Sequence, residues 1–371
     1  MNDKSCVYAL IMLLVFANVS FGQPLMLFTD DGVKTDPRLA TSAVVYGDSK
    51  WLLEQKNTTN ALHKMTGLNQ LTLRHFRITE NGLEYIASLK QIKALAVGHP
   101  GDSVSIDGDL SVLSSMNCLE ELDLCVSDMT DQKLSFVKHL KCLRHLFVMK
   151  GDGKFQISDE LGDHVKSLRR LESIEISDKI QCSDKFFQAI RTLPEFNTVN
   201  LESDNVTDHS LEILSNMNSV RVINLKSPRI TNSGVASLGK ASNLEVLSIR
   251  SPLITEEVFP HIVGMTRLVE ISLPVKQLGG RDFRILRGLP ELEEISIGAA
   301  TFGDNEFRQL SGHRNIRELF IYNSNLSLES LDVFRSFPRL EAVHFPEGEQ
   351  YNTLRESVQD IIDTRDRIRL R

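Results

Sequence analysis

The side chains that could do chemistry are sparse and form no catalytic signature. The sequence has no HExxH metal motif, no GxSxG nucleophile motif and no calcium-loop spacing, and residues 151–154 (GDGK) match only the end of a phosphate-binding loop. The ten histidines are scattered without the spacing of metal ligands. We therefore expect no enzyme activity, no cofactor and no metal. A hydrolase site assembled from distant segments stays open, because the sequence alone does not show which segments meet.

A fixed period organises the chain and must position whatever site exists. Segments of the form L-x-x-L-x-L define units 1 to 12, which begin at Leu68, Ile92, Leu119, Leu143, Leu171, Phe196, Val220, Leu244, Leu268, Leu292, Ile316 and Leu340. The last six intervals are all 24 residues long. Such a period is typical of a solenoid, whose units bury their apolar faces only by stacking on one another.

Each unit divides into a strand half and a helix half. In unit 8, Leu247 and Ile249 alternate with outward residues, and this period of two predicts a strand. Val258, Ile262 and Met265 then recur every three or four positions, which predicts a helix. Residues suited to cap these helices are Thr79, Thr130, Ser158, Thr207, Thr231, Thr255 and Ser327, with glycine at Gly279 and Gly303.

The repeat resembles a known family. The pattern L-x-x-L-x-L-x-x-x-x-I-T-x-x-x-L-x-x-L-x-x-L is carried in unit 1 by Leu68, Leu71, Leu73, Ile78, Thr79, Leu83, Ile86 and Leu89. It is similar to I-T-D-type leucine-rich repeats, found in the substrate-binding arms of F-box proteins and in exported bacterial proteins, planctomycete ones especially. The match covers about residues 68–345. It implies an α/β repeat solenoid, a horseshoe with a parallel sheet on the concave face and helices on the convex face.

The resemblance has two departures. We expect no F-box before the array, because too little chain precedes it. The cysteine of the eukaryotic repeat is replaced at the ninth position by Phe76, Ser127, Asp204, Pro228, Pro252 and Ser324. Both departures speak against an adaptor role in protein degradation, and the missing cysteine-rich caps favour a bacterial source.

The outward strand positions form one face whose residues the core does not dictate. The fifth positions of units 1 to 12 hold Thr72, Ala96, Asp123, Phe147, Glu175, Asn200, Asn224, Ser248, Ser272, Ser296, Phe320 and His344. At the seventh position Met149 flanks Phe147 and Tyr322 flanks Phe320. We predict a concave binding surface at Asp123, Phe147, Met149, Glu175, Asn200, Asn224, Phe320, Tyr322 and His344, with exposed aromatic rings as its anchors. The alternative is that each ring only shields its neighbours or packs on a cap.

Two further features could serve binding or structure. Units 2 and 4 carry extra residues around 98–107 and 150–158, which should emerge on one rim, where insertions either bind partners or are merely tolerated. Cys118 and Cys142 stand 24 residues apart, so we expect them on adjacent coils with Cα atoms about 5 Å apart. A disulfide between them stays open, with two free thiols favoured.

The ends of the chain differ from the array. Residues 1–22 have the form of a signal peptide, an apolar run too short to span a bilayer followed by small residues before Gln23. We therefore predict a protein that is secreted or lies in the periplasm or cell envelope, with no transmembrane segment after cleavage. Residues 23–67 should form an N-terminal segment and capping unit in which Trp51 is an apolar plug, and residues 68–346 form the array.

Residues 347–371 should form a C-terminal cap. Leu354, Val358 and Ile361 share one face of a predicted helix, and residues 367–371 (RIRLR) alternate like an edge strand.

Charge limits the partners. The net charge of -7 argues against general affinity for nucleic acid and favours a cationic partner. We expect a non-catalytic scaffold that mediates protein–protein interaction through its concave surface. The alternative partner is a cell-envelope polysaccharide, which the aromatic residues and the small polar central stripe would suit.

Overall fold

The computed structural model describes residues 26–28, 42–46, 62, 65–74, 77–98, 105–297 and 301–369. The predicted signal peptide, Trp51, Phe76 and residues 99–104 of the first long loop lie outside this part of the chain.

One parallel sheet runs through the described structure. Its strands are Met26–Phe28, Ser42–Tyr46, Gln70–Arg74, Ala94–Val97, Glu121–Val126, His145–Lys150, Ser173–Ser183, Thr198–Asn205, Val222–Lys226, Val246–Arg250, Glu270–Leu273, Glu294–Ile297, Glu318–Ile321 and Ala342–His344. These 14 strands lie side by side in chain order. Twelve belong to the repeats, and the first two extend the sheet beyond unit 1. The sequence period missed Met26–Phe28, because this strand precedes the first regular repeat.

Short helices return the chain from one strand to the next. The α-helices are Glu80–Ser88, Asp131–Leu134, Glu160–Val165, Asp184–Ile190, Asp208–Ser215, Asn232–Ser237, Phe259–Ile262, Gly280–Arg287, Asp304–Phe307, Leu331–Arg335 and Asn352–Arg369. The 3-10 helices are Leu110–Ser115, Ser135–His139, Leu238–Lys240, Glu256–Val258, Arg308–Leu310, Leu328–Ser330 and Glu349–Tyr351. The strands line the concave face and the helices line the convex face, so the chain has the leucine-rich-repeat fold.

The core lies between the sheet and the helices. Inward strand residues stack in register from coil to coil, as Ile271, Ile295 and Leu319 do, and each is at most 2% exposed. Each stacked leucine or isoleucine removes apolar surface from water on both sides, which is why the units are stable only as an array.

The predicted helix caps form hydrogen bonds with one exception. The hydroxyls of Thr79, Thr130, Ser158, Thr207, Thr231 and Ser327 accept from a helix backbone N–H. Thr255 stands at the N-cap, but its hydroxyl accepts from the Asn232 side chain at 2.7 Å. At Gly279 and Gly303 the carboxylates of Asp282 and Glu306 accept the glycine N–H instead.

A ladder of hydrogen bonds joins the helix N-termini of neighbouring coils. The Asp208 carboxylate of unit 6 accepts from the N–H and the hydroxyl of Thr231 in unit 7, at 2.7 and 2.6 Å. The same bonds join Asp131 to Ser158, Asp159 to Ser183, Asp184 to Thr207 and Asp304 to Ser327, and Asn232 takes the acidic place toward Thr255. In this aspartate ladder, five of the aspartates that follow a cap residue link their coil to the next one.

Buried serines form a second column between coils. Ser203, Ser227 and Ser251 each donate to a backbone carbonyl 21 residues earlier at 2.6 Å. They occupy the eighth position of their units, whereas the exposed ninth position holds Asp204 and Pro228. In these three units the buried polar side chain therefore stands one residue before the ninth position, whereas in unit 11 Ser324 is buried at the ninth position itself.

Phenylalanines fill the core of the last coils. Phe283 and Phe302 have ring centroids 5.1 Å apart, and Phe307 and Phe334 have the same separation. Phe337 packs edge-on against Phe307 at 6.3 Å. This phenylalanine cluster begins in unit 9. There the N-cap residues are Gly279 and, in unit 10, Gly303, which have no hydroxyl to donate to the preceding coil, so the aspartate ladder is interrupted.

The two long loops form small sheets on one rim. Residues 77–78 pair with 105–106, and residues 129–130 pair with 155–156. The Asp128 carboxylate of unit 3, where φ is 55°, accepts the Lys154 N–H of the second loop at 2.8 Å. Within the GDGK segment the chain bends at residues 152–153, and Gly153 has a left-handed backbone with φ 82°.

The C-terminal helix corrects one prediction. Leu354 and Val358 are buried as expected, with Ile362 beside them and Ile361 partly exposed. The helix continues to Arg369, so residues 367–369 are not an edge strand. The short alternation of Arg and Ile was a weaker signal than the helical period that precedes it.

The four cysteines of the described residues, Cys118, Cys125, Cys142 and Cys182, are free thiols. Cys182 is fully buried, and its thiol donates to the Ser158 carbonyl oxygen at 3.1 Å.

Candidate functional site on the concave sheet

Strand register places the fifth positions in one column across the concave sheet. Asp123 pairs with Phe147 and Phe147 with Glu175, while at the other end Ser296 pairs with Phe320 and Phe320 with His344. The third positions form a parallel column beside it, because residues two apart point to the same face of a strand.

Several predicted surface residues are less exposed than expected. Phe320 is 9% exposed, Met149 8%, Asn224 5% and Glu175 4%. Neighbouring parallel strands lie only about 4.8 Å apart. Side chains in one column therefore cover each other, and a large ring gains cover on both sides. The predicted exposure of Phe320 and Met149 was therefore wrong, whereas Tyr322 is 40% exposed.

Phe147 and the two carboxylates beside it define the N-terminal ring region: Asp123, Phe147 and Glu175. The ring is partly exposed and lies between the two acidic side chains on the neighbouring strands. In the third-position column alongside, His145 and Ser173 are hydrogen bonded, with Nδ1 and Oγ 2.9 Å apart. A partly exposed aromatic residue thus has an acidic residue on the neighbouring strand on either side.

Both carboxyl groups of the N-terminal ring region hold their protons more tightly than usual. Burial raises the pKa of Asp123 to about 7, and the nearby charges of Glu121 and Glu175 act in the same direction. Burial also raises the pKa of Glu175 to about 7, against a hydrogen bond from Asn200 that lowers it. A cation placed between these groups would relieve the cost of their ionisation.

The C-terminal ring region consists of Phe320, Tyr322 and His344 with the glutamates of the adjacent column. The rings of Phe320 and His344 stack with centroids 4.2 Å apart and an interplanar angle of 9°. The ring of Tyr322, the first residue after the strand of Phe320, has its centroid 6.4 Å from that of the Phe320 ring. His344 Nε2 is 3.9 Å from Glu318 Oε1. Phe320 is thus covered by its own neighbours.

Glu270, Glu294 and Glu318 follow one another in register on three adjacent strands and form the glutamate column of the C-terminal ring region. Burial raises the pKa of Glu294 to about 8, with further increases from Glu270 and Glu318. Burial and Glu318 raise the pKa of Glu270 to about 7. These negative charges repel one another where water is partly excluded.

Sequence reasoning missed the glutamate column. The prediction followed the fifth and seventh positions, whereas these residues stand at the third. The sequence does contain a signal for this column. Glutamate recurs every 24 residues at the third position, whose side chain lies on the same concave face as that of the fifth position. It also missed three exposed apolar side chains, Leu253, Val263 and Leu328, which lie outside the concave columns.

Asn200 lies in the fifth-position column between the two ring regions, together with Asn224, Ser248 and Ser272. It is partly exposed and interacts with Glu175. The described residues contain no group of three or more His, Cys, Asp or Glu side chains arranged to hold a metal ion. Nor does any helix among them combine the length and apolar character needed to cross a bilayer.

Comparison with known proteins supports the fold. No protein-family model matches the chain, and no curated protein matches its sequence. Among solved structures, an internalin from Listeria monocytogenes is similar over 92% of this chain and 96% of its own, with 16% identity and a TM-score of 0.51. A leucine-rich-repeat protein from Leptospira interrogans is similar over 86% and 88%, with 12% identity and a TM-score of 0.52. At these identities the likeness establishes the leucine-rich-repeat fold alone.

Proposed function

We propose that this protein is a non-catalytic scaffold that holds a protein partner on its concave sheet, with the N-terminal ring region contacting a basic side chain of that partner. One observation carries the proposal: Phe147 presents a partly exposed ring between Asp123 and Glu175, in register on three adjacent strands.

The chemistry of this arrangement suits an arginine or a lysine. A guanidinium or ammonium group over the Phe147 face gains a cation–π contact, and the flanking carboxylates accept its hydrogen bonds. Because Asp123 and Glu175 have raised pKa values, the arriving cation also stabilises their ionised forms. The -7 net charge attracts cationic surfaces at longer range.

The wider setting follows the sequence. We infer an exported protein with a signal peptide at 1–22, an N-terminal capping segment at 23–67, an array of I-T-D-type repeats at 68–346 and a C-terminal cap at 347–371. The aspartate ladder supports the repeat type, since it uses the residue after each cap. Similarity to exported bacterial proteins fits this setting, and nucleic acid is not a proposed partner.

Peptide selection on the immobilised full chain tests the proposal. We expect enrichment of displayed peptides that contain Arg or Lys, and at least a tenfold rise in Kd for the enriched peptides with Phe147→Ala or with Asp123→Asn/Glu175→Gln. A tenfold change corresponds to about 1.4 kcal/mol.

The matched control is Glu291→Gln/Asp360→Asn, which removes two exposed negative charges elsewhere and should leave Kd within twofold. An equal loss in the control would show that binding follows net charge and would contradict the site. A glycan array probed in parallel addresses the rival partner. Neutral glycans bound through Tyr322, with no peptide enriched, would replace the protein-binding proposal by a polysaccharide-binding one.

A further inference from the structure

The turns that lead from each helix into the next strand form a second surface, the helix-to-strand rim. Contacts between successive coils show that this rim is continuous. Lys90 Nζ lies 2.7 Å from Ser115 Oγ on the next coil, and Lys141 Nζ lies 3.0 Å from Ser167 Oγ. Arg169 Nη1 lies 3.4 Å from the Thr192 carbonyl oxygen.

Where units 1 to 4 lead into the strands of units 2 to 5, this rim is strongly basic. Lys93 pairs with Glu120 at 2.9 Å, and Arg144 pairs with Glu172. The exposed residues Lys90, Lys141, Arg169 and Arg170, which we call the basic rim, contact neutral groups: hydroxyls, backbone carbonyls and, for Arg170, the Cys142 thiol at 3.9 Å. Glu195 on the following coil marks its end.

The cations lie close enough to act together. The pKa of Glu120 is lowered, mainly by the hydrogen bond from Lys93, and the charges of Arg144 and Arg170 lower it further. Three cationic side chains, one from unit 2 and two from unit 4, therefore lie near one carboxylate. The opposite end of the same rim differs, because Arg317 lies between Glu293 and Glu341, 3.5 and 2.9 Å from their carboxylates.

Helix dipoles explain only part of this distribution. Cations are favourable near helix C-termini, and Lys141 Nζ does contact the Lys138 carbonyl oxygen at 2.6 Å. The same dipoles exist in every coil, yet the last two residues are Pro290-Glu291 in unit 9 and Lys141-Cys142 in unit 3. Cations are thus most concentrated on this rim where units 1 to 4 lead into the next strand, although Arg267, Arg314 and Arg339 stand at the same positions of later units.

We propose that the basic rim binds a linear polyanionic polysaccharide that carries sulfate or carboxylate groups. Successive coils bring its cations past an extended chain at intervals of about 5 Å per coil. The rim segments 88–93, 115–121, 138–144 and 166–172 contain no Phe, Tyr or Trp on which bases could stack, which disfavours single-stranded nucleic acid. The exposed large apolar residues lie in units 8 and 11, so the basic rim has no apolar anchor for a bilayer.

This proposal does not rest on the concave site. The net charge of -7 describes the whole molecule, whereas a polyanion responds to the local charge that it touches.

Salt-dependent binding of the full chain to heparin and to polygalacturonate, as sulfated and carboxylated probes, tests the basic rim. We expect binding at about 0.05 M salt that weakens linearly on logarithmic axes. Lys141→Gln/Arg169→Gln/Arg170→Gln should weaken binding at least tenfold and lower the salt slope by roughly two to three.

The control Lys154→Gln/Lys185→Gln/Lys276→Gln removes three exposed cations from the other rim and should keep the wild-type slope. Unaltered thermal melting of both variants would show that the fold is intact. An equal loss in the two variants, or no binding of the wild-type chain to either probe, would overturn the proposal. Tighter binding to oligo-dT than to heparin of equal charge would assign the rim to nucleic acid and also overturn it.

Discussion

In the N-terminal ring region the carboxylates share a column with the ring, whereas in the C-terminal ring region they occupy the neighbouring column. Phe147 therefore has Asp123 and Glu175 at its sides and keeps part of its face exposed. Phe320 has the His344 ring stacked on it and is 9% exposed. The two regions thus differ in whether the carboxylates stand at the fifth or the third strand position. With carboxylates at the fifth position the ring stays available to a partner, and with them at the third position the ring packs against its neighbour.

The largest expected effect is the loss of folding stability when a core leucine behind either ring region is replaced. Comparing the two losses tests whether the N-terminal and C-terminal ring regions differ only at the surface. Leu146 and Leu319 lie behind Phe147 and Phe320 and are 1% and 2% exposed. Leu146→Ala and Leu319→Ala should each destabilise the fold by about 2 to 5 kcal/mol, through lost burial and a residual cavity. Urea unfolding followed by circular dichroism measures both. A much smaller loss at Leu146 would place the difference between the regions in the core.

A smaller effect separates the two rings themselves. Phe320→Ala should cost about 1 to 3 kcal/mol, because it removes a buried ring and its stacking with His344. Phe147→Ala should cost less than about 1 kcal/mol, since that ring is already partly in water. Equal losses in matched unfolding curves would erase the distinction between an available and a packed ring.

The smallest effect concerns the pH dependence of the glutamate column. The pKa of Glu294 is raised to about 8, so the folded state holds this proton more tightly than the unfolded state. The resulting stability is complete below about pH 4.5 and is lost as pH rises through 8. Glu294→Gln should therefore raise stability at pH 9 by roughly 1 to 2 kcal/mol, a value reduced by partial exposure, and change little at pH 4.5.

Melting temperatures at the two pH values, with Glu349→Gln as an exposed control, measure this effect. A gain at pH 4.5 equal to that at pH 9 would show that the side-chain shape matters and its charge does not. Asp123→Asn should likewise raise the free energy of unfolding at high pH. This gain should reach its full size near pH 8, because the pKa of Asp123 is raised only to about 7.

The repeat period predicted the fold and the inward residues well. Leu319 and Ile249 are buried as their alternation indicates, because core positions obey one rule in every unit. Side-chain exposure on the concave face was less predictable. Whether Phe320 is covered depends on His344, 24 residues away, and on how closely the strands stack. The glutamate column was readable at the third position, but its raised pKa values required the burial that only the fold supplies.

The change from the aspartate ladder to the phenylalanine cluster has a consequence for behaviour in the cold. Units 3 to 8 are linked by side-chain hydrogen bonds such as that between Asp208 and Thr231, whereas from unit 8 to unit 10 the ladder is interrupted at Gly279 and Gly303 and rings such as Phe283 and Phe307 pack between the coils. Burial of apolar surface stabilises less on cooling. Chilling should therefore loosen the coils of units 8 to 10 first, where the ladder is interrupted, while the coils of units 3 to 7 stay closed.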